Sequence, residues 1–136
     1  MTLVDSNVLL DIFTKTPIWW EWSLMQLEAA ALHGPLLVND VIFAETSIRF
    51  KSIEMFDAAL ADAGITFAPI PRSALFLAGK ASIKYQTSGG VRSGVLPDFF
   101  IGAHAAIENL PLLTRDTRRY RNYFPTVTLI APESDG

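Results

Sequence analysis

The sequence predicts an α/β domain in three layers, a central, mainly parallel sheet flanked by helices on both faces. Three observations predict it. Short apolar segments alternate along the chain with longer amphipathic ones. The apolar segments, such as "PLLVN" at 35–39, are continuous rather than alternating, as strands covered on both faces require. The chain has 136 residues, half of them hydrophobic and 18% charged, which is enough for one sizeable core.

Each element follows in order. "LV" at 3–4 is a short apolar start that runs into Asp5 and a polar Ser6–Asn7 turn. "NVLLDIF" reads as a short helix capped by Ser6 or Asn7. "PIWWEWSLMQLEAAALHG" is a helix with Pro17 near its start and Gly34 as its stop. "PLLVN" is a buried strand, and "DVIFAETSIRF" a helix capped by Asn39 or Asp40. "SIEMFDAALADAG" is a helix stopped by Gly64, and "ITFAPIP" a strand ended by Pro71. "RSALFLAGKASIKYQ" is a helix, followed by the flexible loop "TSGGVRSG" at 87–94. "PDFFIGAHAAIENL" is a helix with Pro97 and Asp98 in its first turn. "PLLT" and "TVTLI" are strands separated by "RDTRRYRNYF". Residues 1–131 form one domain, and 132–136 a frayed tail.

Composition narrows the chemistry. There is no cysteine, so neither a disulfide frame nor a thiolate site is possible. No stretch approaches the roughly 18 apolar residues of a membrane span, and "MTLVDSNVLL" does not read as a signal peptide. A cytoplasmic protein without membrane contact is expected. The formal charge of −3 argues against a passive nucleic-acid binder. Yet eight of the 11 basic residues lie from Arg72 onward, five of them between Arg92 and Arg121. A local basic strip on an acidic chain suits a phosphate-bearing substrate beside a carboxylate site.

Four acids occupy unusual settings. In parallel sheets, sites form beyond the carboxyl ends of the strands. Asp5 follows the first strand, Asp116 follows "PLLT", and Asp98 opens a helix whose start faces the same edge. Alone, each of these three reads as a cap, turn or helix-dipole residue. Glu45 lies in an apolar helical run with Ile42, Phe43 and Ile48, where an unpaired carboxylate is costly. Asp11, Asp40, Asp57 and Asp62 lack such settings and read as surface or cap residues. Carboxylates that converge without matching Lys or Arg repel one another, and a hard divalent cation such as Mg2+ or Mn2+ removes that penalty. Such an ion can hold a phosphate oxygen and activate water. Four acids suffice for one ion or two.

"LVDSNVLLD", "VNDVIFAETSIRF", "LPDFFIGAHA" and "LLTRDTRRYRNYF" together resemble the PIN domain, and more narrowly the VapC-type ribonuclease toxins. The resemblance runs from Leu3 to about Ile130. It implies a metal-dependent endoribonuclease, the toxin of a type II toxin–antitoxin pair, which inhibits translation by RNA cleavage. It further implies that Asp5, Glu45, Asp98 and Asp116 are the catalytic, metal-binding acids, with Asn7 and Thr114 as supporting polar residues. A cognate antitoxin and a homodimer are the expected partners. Some relatives carry a further acid just after the last one. Thr117, Arg118 and Arg119 stand there in this chain, which leaves the second metal position open.

Other residues carry a functional and a plain reading side by side. Arg92 and Arg115 are candidates for substrate phosphate, and the 87–94 loop is either a flap or a solvated connection. Arg118, Arg119 and Arg121 read as phosphate ligands or as a solvated face. Tyr120, Tyr123 and Phe124 either stack on bases or pack a helix end. Trp19, Trp20 and Trp22 cannot all face one core, since neighbours on a helix diverge by about 100°. They form a candidate antitoxin contact. His104 reads as structural and His33 as a helix-end residue. The rival functions are an inactive PIN-like RNA-binding module and a metal-dependent phosphoesterase or DNA nuclease. A receiver-like signalling domain is a third rival, but it needs paired acids near the first strand and a lysine late in the chain, and neither is evident in this sequence.

Overall fold

The structure, a computed structural model, describes residues 1–90 and 94–133. Arg92 and part of the 87–94 loop therefore lie outside the described residues, as do the last three residues of the tail.

Twelve elements follow one another: β1 (Thr2–Val4), α1 (Ser6–Thr14), α2 (Trp20–Ala31), β2 (Leu36–Val38), α3 (Asp40–Ser47), α4 (Ile53–Asp62), β3 (Ile65–Phe67), α5 (Arg72–Thr87), α6 (Pro97–Ile107), β4 (Leu112–Leu113), α7 (Arg118–Tyr123) and β5 (Leu129–Ile130). The strands form one sheet in the order β3-β2-β1-β4-β5, and every pairing is parallel. Leu3 lies opposite Leu37 on one side and Leu112 on the other. Strands β1, β2 and β4 are buried along their whole length, as apolar runs covered on both faces should be. The predicted fold class is the one observed. Among the described residues no helix is long and apolar enough to cross a membrane.

Helices α1, α2, α5 and α6 supply much of the cover, with α1 packed on α2 and α5 on α6. On α5 the buried residues are small: Ala74, Ala78, Ala81 and Ser82 recur at helical spacing and bring it close to α6. Gly102 on α6 is required by packing. A Cβ there would come within 2.3 Å of the buried Phe124 ring.

Several boundaries differ from the sequence expectation; among the strands, β3 stops at Phe67, short of Pro71, and β5 keeps only Leu129–Ile130 of "TVTLI". Helix α1 is capped by Asp5, not by Ser6 or Asn7: Asp5 keeps the extended backbone of the strand end, and its Oδ1 accepts from Ser6 N at 2.7 Å. Helix α2 begins at Trp20 rather than near Pro17, because Ile18 adopts a left-handed φ of 77° that no helix accommodates. Helix α3, capped by Asn39, stops at Ser47, three residues before Phe50. There the Ser47 hydroxyl bonds back to the Ala44 carbonyl, and Phe50 turns away to stack on Phe56 at 4.6 Å. The segment read only as a connection, "RDTRRYRNYF", contains α7.

Candidate active site

All strands run the same way, so their carboxyl ends share one edge. The central strand β1 delivers Asp5 to that edge, and β4 delivers Thr114, Arg115 and Asp116. Helix α6 starts there with Asp98, its Pro97 preset for the first turn. Helix α3 follows β2 and carries Glu45 one and a half turns from its start.

Asp5 is the buried centre. Its Oδ2 accepts from the Thr114 hydroxyl at 2.8 Å and from the Tyr120 hydroxyl at 2.8 Å. Its Oδ1 holds Ser6 N, and Ser6 Oγ donates to Glu45 Oε1 at 2.9 Å. Ser6 thus links the first acid to the second. Asn7 completes the frame: its Nδ2 donates to Thr114 Oγ1 at 3.2 Å and its Oδ1 accepts from Arg115 N at 3.2 Å. Thr114 Oγ1 also accepts from Asp116 N at 3.1 Å, which fixes the turn that carries the last acid.

The electrostatics tie the four acids together. Burial pushes the Asp5 carboxyl up to about 6, against the pull of its hydrogen bonds, and Asp98 adds to the rise. Burial also raises Glu45, eased by Ser6 and reinforced by Asp98. Asp98 is raised by burial and by Asp116, while Arg119 draws it down. Asp98 is therefore the hub: Asp5 and Glu45 feel its charge, and it feels that of Asp116. Tyr120 is held firmly neutral by burial and by the carboxylates around it, so its hydroxyl remains a donor.

One premise of the sequence reading needs correction. The acids are not all without a cation: Arg119 Nη1 donates to Asp98 Oδ2 at 3.0 Å. The guanidinium also lies over the rings of Tyr85 at 5.3 Å and Phe99 at 5.9 Å. Asp11, read from the sequence as a surface or cap residue, is fully buried. Arg115 grips it through Nε and Nη2, and Ser23 Oγ donates to it at 2.7 Å. Arg115, a candidate for substrate phosphate, is thus committed to a structural ion pair and lies over the Trp19 ring at 5.1 Å.

Among the described residues, no three acid or imidazole side chains stand close enough to enclose a metal ion. The donor chemistry nonetheless suits one: oxygen donors alone, mutually repelling, with no cation on Asp5 or Glu45 among the described ion pairs. Beside them opens a cleft of about 590 Å³, lined by Tyr85, Arg115, Asp116, Arg118, Arg119 and Tyr123 among others.

His104 and the aromatic residues take structural places. His104 is buried, its Nδ1 3.1 Å from Asn39 Nδ2, and burial lowers its pKa. Tyr120 and Phe124 are core residues, while Tyr123 is half-buried at the cleft. Trp19, Trp20 and Trp22 are each half-buried, with Trp19 edge-on to Trp22 at 5.8 Å. The sequence reading missed Ser6, Tyr120, Arg119 and Asp11 as parts of this network. The alternation "DSN" before a helix was the one signal for Ser6, and it reads equally as a cap.

Comparison with known proteins follows the same lines. The PIN domain family model matches residues 2–125. Among solved structures, VapBC2 from Rickettsia felis bound to a DNA fragment from its promoter superposes with a TM-score of 0.73 at 18% identity, over 97% of this chain and 98% of that one. FitAcB from Neisseria gonorrhoeae gives 0.65 at 18% identity, over 95% and 96%. A toxin–antitoxin complex from Klebsiella pneumoniae gives 0.64 at 21% identity, over 94% and 96%. No curated protein matches the chain.

Proposed function

The chain belongs to the PIN domain family, and from that premise we propose that it is a metal-dependent endoribonuclease, the toxin of a type II toxin–antitoxin pair, which inhibits translation by cutting RNA. The observation that carries this reading is the coupling of Asp5, Glu45 and Asp116 through Asp98 at one sheet edge, beside an arginine-rich cleft.

In this reading Asp5, Glu45, Asp98 and Asp116 hold Mg2+ or Mn2+. A bound ion of this kind supplies charge for a phosphate oxygen and an acidified water. The chain's own residues do the rest. Thr114 and Tyr120 hold Asp5 in one orientation by donating to the same oxygen. Ser6 orients Glu45, and Asn7 fixes the Thr114 turn. Arg118 and the cleft tyrosines receive the RNA chain. Arg92, and Arg115 through whatever donor its ion pair leaves, remain candidates for phosphate.

A cognate antitoxin is the proposed protein partner, since two of the matched structures are a VapBC2 assembly and a toxin–antitoxin complex. Trp19, Trp20 and Trp22, with the exposed Ile18 beside them, are the proposed contact. A homodimer in the cytoplasm completes the reading. One observation favours a second reading, an inactive RNA-binding module: the absence of a closed three-ligand group among the described residues.

The test is a panel of RNA, DNA and small phosphoesters with Mg2+, Mn2+ or EDTA, using the wild type and Asp5→Asn. RNA cleavage that needs the metal and is lost in the variant is expected. RNA binding without cleavage at any metal concentration supports the second reading, and cleavage of DNA alone removes both.

A further inference from the structure

Asn39 stands where β2 ends and α3 begins, and it is fully buried. Its two amide atoms do different work. Oδ1 accepts from Ile42 N at 3.0 Å and so caps α3, while Nδ2 lies 3.1 Å from Nδ1 of the buried His104 on α6. The cap decides which way the amide points, because a turned amide would set its NH2 group against the Ile42 N–H. Nδ2 is therefore the donor, and Nδ1 of His104 is the bare, accepting nitrogen, with the ring proton on Nε2.

Helix α3 has few other ties. It spans eight residues, too few to hold itself without its neighbours. The buried Thr46 hydroxyl finds no hydrogen-bond partner. The Asn39–His104 contact is the one side-chain hydrogen bond described between this helix, cap included, and α6. Near the far end of the same helix Glu45 meets Ser6. A proton on Nδ1 would set an imidazolium N–H against the Asn39 NH2. Either the amide then turns and gives up its bond to Ile42, or α3 draws away from α6. Burial holds the imidazole below the ordinary histidine value of 6.5 and outweighs the carboxylates of Glu108 on its own helix and Asp40 on α3, which favour the proton. The buried residues of α5 (Ala74, Ala78, Ala81 and Ser82) and of α7 (Tyr120) bring no further charge.

We propose that Asn39 and His104 are the positioning residues of Glu45: a neutral imidazole holds the amide that caps α3, and protonation of that imidazole loosens the helix that carries the acid. The proposal rests on the reading above only for what Glu45 does. The geometry of the cap stands apart from it. Replacing Asn39 by Asp inverts the device. An aspartate caps as well as an asparagine, and its second oxygen would accept from Nδ1–H of a charged ring.

The experiment is nuclear magnetic resonance of the full-length, metal-free chain, for the wild type, Asn39→Asp, Asn39→Ala and His104→Gln. In the wild type near neutral pH, Nδ1 of His104 should be unprotonated. As that ring takes up its proton in acid, the protection of the Ile42 and Glu45 amides, relative to the free rate at each pH, should fall about fivefold, the weight of one cap. The exposed His33 should titrate without this effect. In Asn39→Asp, His104 should take its proton at least about one pH unit higher than in the wild type, with α3 still protected. In His104→Gln the loss in acid should vanish, and Asn39→Asp carries the test if that variant does not fold. Asp5, which titrates in the same range, is common to all four proteins. At neutral pH, Asn39→Ala should cleave RNA at least about tenfold more slowly, and Asn39→Asp should restore the rate. A proton on Nδ1 at neutral pH, α3 protection indifferent to the state of His104, an unmoved titration in Asn39→Asp, or full cleavage by Asn39→Ala overturns the proposal. No cleavage even by the wild type removes the ribonuclease reading, and with it the purpose of Glu45, while the resonance measurements still decide the cap.

Discussion

Arg115 grips Asp11 through two hydrogen bonds, Nε to Oδ2 at 2.6 Å and Nη2 to Oδ1 at 2.8 Å. Asp11 is fully buried on α1, and Ser23 of α2 adds a third donor. The pair ties two helices to the turn that carries Asp116. Removing one partner strands the other, which costs roughly 3 kcal/mol, at the low end for buried pairs because Arg115 is 29% exposed. Asp11→Ala should therefore lower stability by about that much in urea titration. The double change Asp11→Ala with Arg115→Met should recover part of it. A loss below roughly 0.5 kcal/mol, as for an ordinary surface site, would show the pair to be incidental.

That pair also shows where the sequence stops being legible. The parallel sheet was readable because its strands are continuous apolar runs, and Leu3, Leu37 and Leu112 pair as such runs should. The convergence of Asp5, Asp98 and Asp116 was readable because parallel topology sends strand ends and helix starts to one edge. Asp11 was not, because nothing in "NVLLDIF" reveals an arginine 104 residues away. Arg119 was read together with its basic neighbours, and only helix α7 singles it out: Arg118 is exposed, while Arg119 turns inward to Asp98. Tyr120 is the same case, since its hydroxyl reaches Asp5 only once α7 folds over the edge. Long-range side-chain partners depend on tertiary placement, and local periodicity carries no record of it.

The two helical glycines should respond in opposite directions. Gly102→Ala would place a Cβ 2.3 Å from the Phe124 ring, which is only 3% exposed and has little room to move. Such overpacking costs about 1–3 kcal/mol. Gly79→Ala on α5 meets nothing within 4 Å and should gain about 0.5–1 kcal/mol from helix propensity. Thermal unfolding of both variants checks this. A stable Gly102→Ala protein would mean that α6 and Phe124 are less tightly packed than described.

Asp5 sets a pH dependence in the metal-free protein. Its folded pKa is about 6, against 3.8 for an unhindered aspartate. The folded chain thus holds this proton more tightly than the unfolded one, so stability falls as pH rises from near 3.8 to about 6. The loss is about 3 kcal/mol at 1.36 kcal/mol per unit. His104 acts in the opposite sense: burial lowers its pKa, so its contribution is lost as pH falls below 6.5. Asp5→Asn shares His104 with the wild type, and the difference between their profiles isolates Asp5. The wild type should lose stability relative to the variant across that window. Parallel profiles in urea titrations between pH 4 and 6.5 would show that Asp5 is not the strained carboxyl.

Glu45 and Asp98 should part company when each is neutralised. Both are raised by burial, but Asp98 has Arg119 at 3.0 Å, whereas among the described residues Glu45 has only the Ser6 hydroxyl at 2.9 Å. Glu45→Gln removes a charge that repels Asp98 and keeps an oxygen to accept from Ser6. Its metal-free melting temperature should rise by a few degrees, on the order of 1 kcal/mol. Asp98→Asn relieves similar repulsion but breaks the pair with Arg119, so its melting temperature should stay near that of the wild type. Magnesium should stabilise the wild type by mass action, about 2.7 kcal/mol at a hundredfold excess over Kd, and both variants much less. Thermal unfolding of the three proteins with and without magnesium decides it. If Glu45→Gln melts lower than the wild type without metal and gains as much from magnesium, Glu45 is a packing residue and the ion is held elsewhere.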